Sequence, residues 1–197
     1  MTFWTKFIGF SMLAILLSSC TGCKDNGPSA EEAEKMKNTV IEEPKTYDPS
    51  VPDACDLITK DEIAAVIGTD PASISIKDGS NLRALNVRSC FFRWEHNGVP
   101  NSGVLVQAQS NPLPEEFPDW STTYIKAKIE SGDKTLDGVT YLYKPFDGGG
   151  IEGAYNHEMQ KYFWRTNEDI IYTLTFNLGS DEPTQLAWAE KLAKTIN

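Results

Sequence analysis

Histidine, basic charge and long apolar stretches are all scarce in this sequence. Only two histidines are present, and 18 Lys and Arg face 28 Asp and Glu, for a net charge of -10. With His96 and His157 alone, few bases exist to activate a hydroxyl or thiol, and no G-x-S-x-G segment occurs. His157-Glu158 lacks the second histidine of H-E-x-x-H, because position 161 is Lys161, so no zinc or other metal site is expected. Binding to phosphate needs clustered Lys and Arg to replace counterions, and no basic stripe is visible, so nucleic acid is excluded as an expected partner. The apolar run over residues 7–17 has 11 residues, against roughly 20 for a helix that crosses the hydrocarbon core.

That run does fit the apolar part of a signal peptide, which needs about 7 to 15 residues, and Lys6 supplies the charge before it. Its ending, Leu17-Ser18-Ser19-Cys20, resembles the bacterial lipobox. The resemblance implies that Cys20 receives diacylglycerol, that residues 1–19 are removed, and that the new amino group is acylated too. A chain carrying two or more acyl groups is anchored stably to a membrane without spanning it. By analogy with proteobacterial lipoproteins, Thr21 is compatible with sorting to the outer membrane, on either face. Residues 20–51 are then a lipidated N-terminus and an acidic tether, too polar to bury surface that offsets chain entropy. Residues 30–37 follow a capping-box pattern but are short for an isolated helix. A flexible segment of this length reaches about 30 Å.

Export to an oxidising space makes the remaining cysteines informative. Cys20-Thr21-Gly22-Cys23 has C-x-x-C spacing, yet a polar tether follows where a redox motif needs a helix, so Cys23 reads as an idle thiol or an intermolecular partner. Cys55 precedes a predicted helix and Cys90 lies in a predicted strand. A bridge between them would pin helix to sheet, worth about 3 to 4 kcal/mol by loop entropy.

Residues 52–197 read as a single globular domain. Thr59 and Glu62 form a capping box, Ile58 and Ile63 a hydrophobic staple, and Gly68 a helix end. Alternation predicts strands at residues 73–77, at 90–94 with Cys90, Phe92 and Trp94 inward, and at 104–108, with Asn97-Gly98 as the turn. A helix is expected from Pro118 to about Gly132, with Trp120, Tyr124, Ala127 and Lys128 along one side. Val139, Tyr141 and Tyr143 predict a further strand; residues 154–165 read as strand, and 160–165 with 170–177 as a hairpin about Asn167. A last helix, to Ile196, presents Leu186, Ala189, Ala193 and Ile196. The pattern is α+β: an antiparallel sheet of about five to six strands with helices packed on one face.

Gly148-Gly149-Gly150-Ile151-Glu152-Gly153 satisfies G-x-G-x-x-G, but the residues after it read as strand, so no helix dipole faces a phosphate and no cofactor is expected. Tyr141, Tyr143, Tyr155, Tyr162 and Trp164 gather in the C-terminal sheet as core or as a candidate ligand groove. Cys55-Asp56-Leu57-Ile58-Thr59 with Glu62-Ile63 and Gly68, then Cys90-Phe91-Phe92-Arg93-Trp94, is similar to an uncharacterised family of bacterial lipoproteins best known in actinobacteria. Gly150-Ile151-Glu152-Gly153-Ala154-Tyr155 resembles that family's Gly-x-Gly-acid-x-Ala segment with acid and glycine transposed. Over residues 53–196 the resemblance implies the Cys55–Cys90 disulfide and the α+β fold, and it carries over no catalytic residue.

The expected function is a lipid-anchored, non-enzymatic envelope module that binds a protein partner or an envelope polymer. The alternative is a carrier of a small amphiphile in a groove between sheet and helices. A hydrolase, third, would need a cleft joining His157 to a nucleophile.

Overall fold

The computed structural model describes residues 46–166 and 169–196, all within one compact unit, Pro44–Asn197. Cys20, Cys23, the tether helix and the Asn167 turn lie outside the described residues. Helix α1 (Lys60–Ile67) starts as its sequence dictates: Thr59 Oγ1 accepts from Glu62 N at 3.2 Å, and Thr59 N donates to Glu62 Oε2 at 2.8 Å. It stops at Gly68, whose φ of 83° is the left-handed conformation that closes a helix without a Cβ penalty. Ile58 and Ile63, the two halves of the staple, are both buried.

A 3-10 turn (Pro71–Ser73) leads into β1 (Ser75–Asp78), followed by β2 (Val87–His96) and β3 (Val99–Ser110). After α2 (Trp120–Glu130) come β4 (Asp133–Lys134), β5 (Thr140–Tyr141), β6 (Lys144–Pro145), β7 (Glu152–Asn156), β8 (Lys161–Arg165), β9 (Ile170–Asn177) and α3 (Glu182–Ile196). Seven strands make one antiparallel sheet in the order β1-β2-β3-β9-β8-β7-β6, and β4 with β5 forms a separate ribbon. The class is the expected α+β, with more strands than the five to six counted from sequence. The extra strand arises because residues 154–165 are not continuous. Asn156 Oδ1 accepts from Met159 N at 2.8 Å and Gln160 takes φ 53°, so the chain reverses between β7 and β8 without a glycine or proline.

Cys90, Phe92, Trp94, Val104, Val106, Ala108, Ile170, Tyr172, Leu174 and Phe176 point to one face and pack under α1 and α3, as their alternation requires. Helix α2 departs from the one-face expectation. Ile125 of α2, with Trp120, Tyr124 and Ile129 beside it, packs on Phe163, Ile171 and Ala154 on the opposite face. The physical reason is in β8 and β9, where Tyr162-Phe163-Trp164 and Ile170-Ile171 are apolar on consecutive residues and must be covered on both sides. The predicted strand through Val139, Tyr141 and Tyr143 is also broken. Asp137-Gly138 turns β4 into β5, Tyr143 drops into the core under α2, and Val139 is exposed.

Cys55 and Cys90 are bonded, with Cα atoms 5.0 Å apart and 35 positions apart in sequence. The bridge ties the approach to α1 onto β2. Beside it Asp53 pairs with Arg88 of β2 and accepts from Cys55 N at 2.9 Å, so the same segment is clamped twice. Replacing both cysteines by alanine should lower unfolding free energy by about 3 to 4 kcal/mol, read as a lower denaturant midpoint with a slope no smaller, since the unbridged unfolded chain is more expanded. Equal midpoints for the native and variant chains would show that the bridge restrains nothing.

Candidate functional site

The sequence-selected aromatics do not share one groove. Tyr155, Tyr162 and Trp164 belong to the core beneath α3, whereas Tyr143 lies in the second core beneath α2. Tyr155 and Tyr162 stack at 5.5 Å, and Phe146 meets Tyr155, Tyr162 and Trp164 edge-on, so these rings are spent on packing. Tyr141 and Tyr155 line a common cleft. The glycine loop is likewise structural: a Cβ on Gly150 would sit 2.2 Å from the Arg165 carbonyl oxygen, and β7 rather than a helix follows.

That cleft, about 370 Å³, is lined by Thr140, Tyr141, Lys144, Tyr155, His157, Glu158 and Glu182, among others. Glu182, at the start of α3, accepts from Lys144 Nζ at 2.6 Å and from Tyr155 Oη at 2.9 Å. The Lys144 and Tyr155 hydrogen bonds hold the Glu182 carboxyl below the usual range, and the Glu182 bond raises Lys144. Burial, then Glu182, pushes the Tyr155 phenol up. At neutral pH the three therefore rest as carboxylate, ammonium and phenol. His157 Nδ1 is buried without a hydrogen-bond partner. His96 lies near Trp94 and Trp188 at ring distances of 6.5 Å, and three strands separate β2 from β7 in the sheet. Among the described residues no group of three side chains is placed to hold a metal ion, and no helix is long and apolar enough to cross a membrane.

A second depression was not singled out by the sequence. It is a groove of about 360 Å³ along α2, lined by Glu116, Phe117, Pro118, Asp119, Trp120, Thr123, Tyr124 and Ala127. The loop before the helix builds one wall. Asn111, nearly fully buried, donates from Nδ2 to the Phe117 carbonyl at 2.7 Å and accepts from Leu113 N at 2.9 Å, and Phe117 N donates to the Leu113 carbonyl at 2.9 Å. Pro112, Pro114 and Pro118 fix φ along the same stretch. Despite this locking the loop holds Leu113 46% and Phe117 54% exposed. Trp120 and Tyr124 continue the apolar surface at a ring distance of 5.7 Å, and Tyr124 leans on Phe163 at 5.6 Å. The available sequence signal was Pro-Leu-Pro-Glu-Glu-Phe-Pro, a proline-stiffened segment whose two large apolar residues stand four positions apart outside any regular element.

At its C-terminal end α2 is fastened by Lys128. Its ammonium pairs with Asp133 and sits 4.9 to 5.6 Å from the rings of Tyr124, Phe163 and Tyr143. Tyr143 Oη donates to the other Asp133 oxygen at 2.7 Å. Burial alone would raise the Asp133 carboxyl, but the bonds from Lys128 and Tyr143 outweigh it and leave it below its ordinary 3.8. No protein-family model, curated protein or solved structure matches the chain.

A carboxyl depressed in the folded state contributes stability that is full above its unfolded pKa and is lost as pH falls through the folded value. The chain should therefore lose stability on acidification below about pH 4, and Asp133→Asn should flatten that part of the profile while lowering stability at pH 7. Urea midpoints measured from pH 7 down to pH 2 test this; parallel profiles for the two chains would refute the assignment.

Proposed function

We propose that this protein is a lipid-anchored, non-enzymatic binding module of the bacterial cell envelope that engages a protein partner through the groove along α2. One observation carries the reading: a loop locked by Asn111 and three prolines keeps Leu113 exposed and sets the exposed Phe117 beside Trp120 in the groove. A loose loop would fold such side chains inward. A rigid one that displays them costs stability in the free protein and spares the ordering cost on binding. Exposed apolar surface of this kind marks interaction sites.

Attachment through lipid on Cys20 rests on Leu17-Ser18-Ser19-Cys20, and the Cys55–Cys90 bridge suits the same oxidising destination. Thr21 favours the outer membrane on the analogy given above, and the resemblance to the uncharacterised lipoprotein family agrees with the bridge and the α+β fold. The resting charge states in the polar cleft support a non-catalytic reading. The volume of the α2 groove also favours a second reading, a carrier of one small amphiphile.

A photo-reactive phenylalanine analogue at position 117, in the full chain in living cells, should give a discrete protein cross-link. The same analogue at Leu82, exposed elsewhere on the domain, should not. Cross-linking only to lipid-sized molecules would favour the carrier, and identical patterns at both positions would sink the groove. Metabolic labelling with an alkyne-tagged palmitate should mark the chain and be abolished by Cys20→Ala; labelling that survives this change would refute the anchor.

A further inference from the structure

The α2 groove offers charge as well as apolar surface, and all of the charge is of one sign. Glu116 and Asp119 line it and Glu115 adjoins it, all three exposed. None of them is in an ion pair among the described residues, where the neighbouring cations Lys126 and Lys128 are taken by Glu130 and Asp133. Between Arg93 and Lys126 the sequence contains no Lys or Arg at all. Asp119 occupies the N-cap position of α2 yet makes no side-chain capping hydrogen bond, so its carboxylate is not spent on the helix. The helix dipole offers roughly half a positive charge there, too little to neutralise three carboxylates. Phe117, Trp120 and Tyr124 add negative ring faces to the same depression.

We infer that the protein segment received by this groove is basic and apolar, presenting arginine side chains flanked by aliphatic ones. The inference rests on the groove reading above and names its partner's chemistry. A guanidinium satisfies both halves of the site, since it stacks on an aromatic face and forks onto a carboxylate, whereas an acidic or neutral segment leaves the carboxylates unpaired. Aliphatic neighbours would cover Phe117. A merely cationic ligand attracted by the net charge of -10 would not depend on these particular residues.

The test uses the full chain, exported with Cys20→Ser so that no acyl group competes for the groove. It is titrated calorimetrically with a short peptide of alternating arginine and leucine and with the same peptide carrying citrulline, which keeps the shape and removes the charge. The arginine peptide should bind about tenfold more tightly, the sum expected of two or three exposed charge pairs. That gap should close in the Glu116→Gln/Asp119→Asn chain and at high salt. Equal binding of both peptides would overturn the basic partner and leave the groove standing. A preference unchanged in the double variant would place the attraction elsewhere on the acidic surface and overturn the inference. If neither peptide binds but dodecyltrimethylammonium does, the groove holds a small amphiphile, and if nothing binds, the groove reading falls as well.

Discussion

Burial of β8 on both of its faces is the constraint from which the rest of this structure follows. Tyr162 and Trp164 point under α3 while Phe163 points under α2, so one five-residue strand anchors two separate cores. A sheet whose central strands are apolar on one face only can leave the other in water. Here Phe163 and Ile171 cannot be left so, and α2 is held over them by Ile125. The cost of truncating such a residue is several kcal/mol, since large aromatic side chains in well-packed cores lose about 3 to 5 when cut to alanine. The position of the groove is thus inherited from the sheet: Tyr124, which leans on Phe163, is at once a core contact and a groove wall.

Polar groups secure what the apolar faces locate. Gln185, fully buried in α3, accepts from Tyr162 Oη at 3.0 Å, and its amide lies 3.4 Å from both Gln160 Oε1 and Ser180 Oγ. Gln160 also accepts from Leu178 N at 3.3 Å, and its carbonyl from Phe176 N at 2.9 Å, which holds its left-handed backbone in place. A side chain larger than glycine rarely takes that conformation, and it persists where the surroundings over-determine it. The network joins the β7–β8 turn, the end of β9 and α3, so the helix is set in register by hydrogen bonds as well as by Ala189 and Leu192. On the far face Lys128 and Asp133 do the same for α2 with a single charge pair wrapped in rings.

The sequence disclosed those features whose signal is local. The capping box at Thr59 and Glu62, the turn at Asn97-Gly98 and the inward set of β2 all lie where residue type and spacing placed them, and Cys55 and Cys90 are paired as the family resemblance implied. The missed features depend on distant partners. Gln160 turns the chain because β9 and α3 supply its hydrogen bonds, and no property of residues 156–160 read alone announces this. The side of the sheet that α2 covers is decided by Phe163 and Ile171, which follow α2 by more than thirty positions. The aromatic cluster at Tyr141 to Trp164 was legible as a cluster, but its division between two cores was not. The groove was invisible because exposure is a property of the assembled surface.

Within that surface the segment from Asn111 to Asp119 holds two exposed apolar side chains in a hydrogen-bonded frame. Other large apolar side chains, among them Leu82, Val99, Leu136 and Leu142, are exposed as well, while at the sheet edge β6 is two residues long and ends in Pro145. At the groove, by contrast, hydrogen bonds from a buried asparagine are used to keep Leu113 and Phe117 out of the core. Covering half of a phenylalanine is worth on the order of 1 kcal/mol by area, which the free domain forgoes. A chain under selection for stability alone would gain by letting this loop collapse, and the prolines and Asn111 prevent it. The local cost becomes intelligible if the same side chains are covered in a complex, because a preorganised loop then recovers the forgone burial without a further loss of chain entropy.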